Sequence, residues 1–371
     1  MNFAFTDEQE ELRKSIKRFL EDKSPISAVR DLMESEEGFD RGIWSQMGTQ
    51  LGLQGIVIPE EYGGSGFSYV ELLVIFEELG RTLACVPFFS TVGLATGTLL
   101  STDDADARKD YLSLIASGDK IATVAISEDS GRFDADGITL TADKSGDGYV
   151  LNGHKSFVVD GHTADLILVV GRTSNGISLF GVESGAAGLN KQPLATMDQT
   201  RKQARLEFDN VPARLIGQEG NGWNAVEKGL QLAAVCLAAE QLGGAQVCLD
   251  MSVEYAKNRI QFGRPIGSFQ AIKHKCADML LQVESARSAA YYAAWAAQEN
   301  SEELPVVSSL AKAFCSEAFF HCAGENIQIH GGIGFTWEHD AHLYFKRAKS
   351  SELMLGDPSY HRELMLQRLG I

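Results

Sequence analysis

Hydrophobic positions recur at helical spacing through the first part of the chain. Thr6 followed by Gln9 has capping-box spacing, and Leu12, Ile16, Phe19 and Leu20 then repeat at helical intervals until Ser24-Pro25, which predicts an opening helix. Residues 44–53 read as a second helix and, after the loop Pro59-Glu60-Glu61-Tyr62-Gly63-Gly64-Ser65-Gly66, residues 70–79 read as a third. From residue 121 the texture changes. Short β-rich runs at 121–126, 138–140, 166–170, 177–182 and 204–208 are punctuated by Gly, Asp, Asn and Ser, as hairpin and sandwich loops require. A small antiparallel β domain is the simplest account. Beyond Gly222 the chain is Ala/Leu-rich with helical period through Asn300, again at 305–329 and again at 340–369, a length for about four long helices in a bundle. The expected fold class is α+β: a helical domain over 1–120, a middle β domain over 121–212 and a helical bundle over 213–371.

Composition narrows the function. The chain has 371 residues, 44% of them hydrophobic, enough for several domains with sizeable cores. Asp and Glu number 50 against 33 Lys and Arg, so a nucleic-acid surface would work against a formal charge of −17. The first residues hold no signal-type apolar run and no later segment offers about 20 uninterrupted apolar residues, so a soluble, cytoplasmic protein with no membrane partner is expected. Cys85, Cys236, Cys248, Cys276, Cys315 and Cys322 form no C-x-x-C pair and sit mostly in Ala/Leu-rich stretches, the setting of reduced structural thiols. Glu338-His339-Asp340-x-His342 has helical histidine spacing but no further ligand set, so no metal is expected. Arg201, Lys202 and Arg205 read as solvated loop charges, with a contact to a ligand's phosphate as the alternative. Neither G-x-G-x-x-G after a strand nor a P-loop is present, so a nucleotide would be held in another way.

Four stretches carry a family resemblance. They are Pro59-Glu60-Glu61-Tyr62-Gly63-Gly64-x-Gly66 with Glu77-Glu78-Leu79-Gly80-Arg81; Gly148-Tyr149-Val150-Leu151-Asn152-Gly153-His154-Lys155; Tyr255-Ala256-x-x-Arg259-x-x-Phe262-Gly263-Arg264-Pro265-Ile266 with Phe269-Gln270; and Gln328-Ile329-His330-Gly331-Gly332-Ile333-Gly334-Phe335. In their order and spacing, and in the helical, β, helical sequence of domains, the chain resembles the FAD-dependent acyl-CoA dehydrogenases over nearly its whole length. The type it resembles includes the subunits of paired hetero-oligomeric dehydrogenases of lipid metabolism.

The resemblance implies an extended FAD at a subunit contact. Arg259 is then the cationic partner of the pyrophosphate, a role that suits the donor fork of a guanidinium. Phe262 and Gln270 line the adenine side, and Gln328 with the Gly331-Gly332 turn lets backbone amides approach the dinucleotide of another subunit. On the flavin-ring side, Ile126, Ser127 and Glu128 fall on the family's Thr-Glu-Pro loop, Phe157 on a large aromatic beside the isoalloxazine, and Val159 where a threonine often serves flavin N5. Implied partners are an acyl-CoA, electron-transfer flavoprotein as acceptor, and further chains in a homo- or hetero-oligomeric dimer or tetramer.

The family reaction needs a carboxylate facing the α-carbon of the thioester. Alignment places Leu355 at one of the two usual glutamate positions and Ala233 at the other. Glu240 lies seven residues beyond Ala233, on the same helix face but about 10 Å along the axis, and has two readings: a base, or a buried structural or interface ion. Three functions follow as expectations: self-sufficient α,β-dehydrogenation of an acyl-CoA; a non-catalytic FAD-binding subunit whose homologous partner supplies the glutamate; and a flavin oxidase or monooxygenase on the same fold.

Overall fold

Helix α1 (Asp7–Lys23) starts at the expected capping box, with the Thr6 hydroxyl accepting from Gln9 N–H and the Gln9 side chain accepting from Thr6 N–H. It is followed by α2 (Ile26–Glu34), α3 (Arg41–Thr49) and α4 (Tyr69–Thr82). The second expected helix is displaced: α3 begins early because Asp40 caps Ile43 N–H, and the chain leaves it before Gly52, whose φ is +64°. A buried π-helical run, Phe89–Thr96, continues into α5 (Gly97–Leu100) and is followed by α6 (Ala105–Ala116). The computed structural model describes residues 5–146 and 148–371.

The β section is a seven-stranded mixed sheet rather than an antiparallel one. Its strands are β1 (Ala122–Ala125), β2 (Thr141–Ser145), β3 (Gly148–Val159), β4 (Leu166–Thr173), β5 (Gly176–Glu183), β6 (Leu189–Pro193) and β7 (Gln203–Ile216). Strand β1 runs parallel to β4, whereas β3, β5, β6 and β7 pair antiparallel. An apolar run carries no record of its neighbour's direction, so the sequence pattern could not distinguish these arrangements. The expected strand at 138–140 is absent because the Glu128 carboxylate takes the N–H groups of Thr139 and Leu140, at 2.8 and 3.0 Å.

The helical section comprises α7 (Gly222–Asn258), a small hairpin of β8 (Ile260–Gln261) and β9 (Arg264–Pro265), then α8 (Gln270–Gln298), α9 (Leu304–His330), α10 (Ala341–Leu353) and α11 (Pro358–Leu369). Three helices are long and two short. The expected helical run at 340–369 breaks where Leu355 and Gly356 have φ of +60° and +102° and Asp357 caps α11 ahead of Pro358. Among the described residues α7 alone is long and apolar enough to cross a membrane, and 89% of its most apolar window is buried in the protein.

By internal contacts the chain groups into two compact units rather than along its three sequence sections. One consists of Met1–Asp31, Tyr69–Ala84 and Ala234–Ile371; the other of Leu32–Ser68 and Cys85–Ala233. Within the first, α4 and α7 cross backbone to backbone. A Cβ on Gly80 would lie 2.0 Å from the Glu240 carbonyl oxygen, and one on Gly243 would lie 1.9 Å from that of Glu77, so only glycine permits the crossing. Buried Glu77 joins the helices electrostatically, taking Arg13 at 2.9 Å, Arg287 at 3.0 Å and the Tyr291 hydroxyl at 3.1 Å. Arg13 also takes Glu78 at 3.1 Å, so the network accounts for the two buried acids of α4.

Candidate functional site

The second unit carries the residues expected beside a flavin ring. The loop after β1 is fastened by a buried ion pair, Lys155 Nζ to Glu128 Oε1 at 2.7 Å, while the same ammonium donates to the Ile126 carbonyl at 3.0 Å. Burial, partly offset by Glu128, pushes the Lys155 ammonium down to about 8. Burial acts to raise the Glu128 carboxyl, but Lys155 and the Thr139 and Leu140 donors outweigh it and hold the pKa below its usual value. The Ser127 carbonyl accepts from Ser156 N–H at 2.9 Å, which ties the loop to β3. Ile126 and Val159 are buried, and the Val159 carbonyl accepts from the Thr123 hydroxyl at 2.6 Å.

Phe157 is the unusual member of this group. The β3–β7 register shifts between Lys155 and Val158, and in that bulge Phe157 adopts φ +56° with 64% of its surface exposed. A left-handed bulky residue costs about 1–3 kcal/mol, and an exposed ring gives up its hydrophobic gain. Both costs are incurred at the residue expected against the isoalloxazine, a surface suited to a flat apolar ligand.

The first unit carries the residues expected on the adenine side, and it gathers them. The Tyr255 ring near the end of α7 lies 4.2 Å, centroid to centroid, from that of His330 at the end of α9, so the Arg259 and Gln328 segments share one end of the bundle. Between β8 and β9 the turn residues Phe262 and Gly263 have φ of +53° and +75°, the primed-turn geometry of tight hairpins, and Phe262 projects with 90% exposure. Arg259, Gln270 and Gln328 are exposed, and their side chains have no hydrogen-bond or ion-pair partner among the described residues. An unpaired guanidinium in so acidic a chain fits a site for an external anion. Gly331 has φ +65°, and a Cβ at either Gly331 or Gly332 would meet open space. At Gly332, therefore, neither the backbone angle nor any neighbour in this chain requires glycine, which suits a backbone left bare for a ligand's approach. These features fit the expected dinucleotide.

The base candidates fall elsewhere. Ala233 is fully buried. Glu240 is 4% exposed and forms an ion pair with Arg347, itself 2% exposed, at 2.8 Å between Nη1 and Oε1. Arg347 went unnoticed in the sequence although it lies on the buried stripe Tyr344, Arg347, Ala348 and Ser351 of α10, so helical periodicity contained the signal.

Leu355 is 8% exposed, and a clamp that sequence reasoning missed holds its left-handed turn. Lys312 Nζ, fully buried, donates to Ser316 Oγ at 2.9 Å and to the carbonyls of Glu352 and Gly356 at 3.1 Å each. His361 Nε2 lies 3.1 Å from the Leu355 carbonyl oxygen. Burial pushes the Lys312 ammonium down to about 7, and burial together with Lys312 pushes the His361 imidazolium down to about 3. A single lysine in the apolar run of α9 was the available signal.

Two of the three loop cations are not solvated. Arg201 is buried, with its guanidinium 5.0 Å from the Phe89 ring centroid, and Lys202 donates to the Met33 carbonyl at 2.7 Å. Arg205 is part-exposed and lies 3.1 Å from Ser156 Oγ. The two histidines of the 338–342 segment pack on rings instead, His339 on His330 at 4.5 Å and His342 on Trp337 at 5.0 Å.

Three family profiles match in order along the chain: the acyl-CoA dehydrogenase N-terminal domain at residues 6–119, the middle domain at 123–211 and the C-terminal domain at 220–370. The chain belongs to the acyl-CoA dehydrogenase family, a family of oxidoreductases that use FAD. It is similar to acyl-CoA dehydrogenase IpdE2 of Mycolicibacterium smegmatis, with 36% identity over 95% of this chain and 96% of that one. Among solved structures it is similar to the ChsE4–ChsE5 complex of Mycobacterium tuberculosis, at 30% identity and a TM-score of 0.90, covering 100% of this chain and 99% of that one. A structure described as an FAD-dependent dehydrogenase is likewise similar, at 31% identity and a TM-score of 0.90 over the full length of both chains.

Proposed function

We propose that this chain is the FAD-holding subunit of a paired acyl-CoA dehydrogenase that desaturates an acyl-CoA thioester between its α- and β-carbons, with a homologous partner chain supplying the catalytic carboxylate. The observation that carries this reading is the Glu240–Arg347 ion pair. A carboxylate buried against a guanidinium at 2.8 Å is already engaged with that partner and is poorly placed to take a proton from a substrate. With Ala233 and Leu355 at the family's two base positions, this chain offers no carboxylate at either. The similarity to one chain of the ChsE4–ChsE5 complex supports a paired assembly.

Bound FAD supplies the hydride acceptor of such a reaction. In this chain Ser127 and Phe157 would border a flavin ring, Arg259 with Phe262 and Gln270 would hold a pyrophosphate and its adenine side, and Gln328 with the Gly331-Gly332 turn would receive the dinucleotide of another subunit. Electron-transfer flavoprotein is the proposed acceptor. The six free thiols favour a reducing, cytoplasmic setting.

The deciding experiment is anaerobic flavin reduction by a panel of acyl-CoAs, with this chain alone and with a homologous chain that carries the glutamate. Alone, this chain is expected to leave its flavin oxidised; with the partner, the flavin should bleach. Rapid reduction in the chain alone would overturn the proposal and return the base to this polypeptide.

A further inference from the structure

Residues 126–128 follow β1 outside any strand, yet each of them is tied down. Lys155 Nζ of β3 donates to the Ile126 carbonyl at 3.0 Å and to Glu128 Oε1 at 2.7 Å, and Ser156 N–H donates to the Ser127 carbonyl at 2.9 Å. The Glu128 carboxylate also takes Thr139 N–H, the Thr139 hydroxyl and Leu140 N–H. The Ser127 hydroxyl is the exception: Ser127 is half-buried, and its side chain has no hydrogen-bond partner among the described residues.

A buried ion pair is a poor way to gain stability, because an apolar pair of similar volume does as well or better without the desolvation cost. What Lys155 gives that an apolar residue cannot is direction. Its fully buried ammonium fixes the loop at two points, one on either side of Ser127. Lys155 also lies two residues before Phe157, on the stretch of β3 where the register with β7 shifts. One side chain thus ties the loop bearing Ser127 to the strand bearing Phe157, and both residues are assigned to the flavin ring. We propose that Lys155 is a positioning residue for the cofactor, holding the 126–128 loop against β3 so that the unpaired Ser127 hydroxyl is presented to a flavin ring bordered by Phe157. The inference rests on the proposed FAD-holding function and deepens it, since it names a residue that acts on the flavin only through Ser127.

The test is a double-mutant cycle on FAD affinity, read by flavin fluorescence as FAD is titrated into the deflavinated protein in its native assembly. Ser127→Ala removes the hydroxyl and is expected to weaken FAD about tenfold, the worth of one hydrogen bond. Lys155→Met removes the anchor and should weaken FAD about as much, since the hydroxyl is then no longer held in place. The double variant should match Lys155→Met within about twofold, because the hydroxyl it loses is already out of place. A lysine that merely stabilised the fold would lower the melting point without coupling to Ser127, and two independent losses would multiply to about a hundredfold. Multiplied losses, or FAD affinity in Lys155→Met within about twofold of wild type, overturn the inference. So does a Ser127→Ala variant that binds FAD as the wild type does. If Lys155→Met does not fold, the cycle is run with Glu128→Gln, which keeps the side-chain shape but removes the charge that holds the ammonium, and the same outcomes decide. All of these results leave the FAD-holding function standing; a wild-type chain that takes up no FAD, alone or with a homologous partner, fails that reading instead.

Discussion

Replacing Glu240 distinguishes a structural ion from a catalytic base. Its carboxylate and the Arg347 guanidinium are both nearly fully buried and 2.8 Å apart, so removing one takes a close counter-charge from the other in a setting away from water. Such a loss typically costs about 3–5 kcal/mol, the range expected for Glu240→Ala. Glu240→Gln keeps an amide oxygen that still accepts from Arg347, and since a hydrogen bond to a charged group retains about 1.5–3 kcal/mol, a net loss of about 2 kcal/mol is expected. The double replacement Glu240→Leu with Arg347→Met removes both charges and should recover much of the loss, because an apolar pair of similar volume avoids the desolvation cost. Chemical denaturation followed by far-ultraviolet circular dichroism gives these numbers, with flavin reduction by acyl-CoA measured on the same samples in the complete assembly. On the structural reading, stability falls while the reduction rate per folded enzyme holds. The reasoning is refuted if Glu240→Gln is as stable as wild type yet reduces its flavin about 100 to 10,000 times more slowly, the signature of a lost general base.

Arg259→Ala should weaken FAD binding and the subunit contact together, by about 2–5 kcal/mol, since the unpaired guanidinium is assigned to a pyrophosphate at that boundary; full flavin occupancy with native mass in solution would reject the assignment. The turn at Leu355 should be acid-sensitive through His361. Its folded pKa of about 3 lies below the ordinary 6.5, so below about pH 6.5 the unfolded chain takes up a proton that the folded chain refuses, and stability falls as pH drops toward 3. Between pH 7 and pH 5 this group accounts for about 2 kcal/mol, and His361→Gln should remove that part of the pH dependence. Denaturation midpoints at both pH values check it, and an unchanged pH difference in the variant would show that His361 is not the group responsible.

Much of this protein is determined locally. The capping box of α1, the change from helical to strand period near residue 121 and the long apolar helices need only near neighbours in sequence, and the family motifs around Arg259 and Gln328 are short and contiguous. Tertiary structure decided the rest, because burial and partnership join residues far apart in the chain. Whether β1 lies parallel to β4 depends on a connection about forty residues long, which leaves no mark on an apolar run. Residues 138–140 have strand composition, yet the distant Glu128 carboxylate claims their amides. Glu240 read alone supports both a base and a buried ion; its partner Arg347, 107 residues on, on which the proposed structural role rests, is brought to it only by the fold. A buried charge is defined by what surrounds it, and only the folded chain brings those surroundings together.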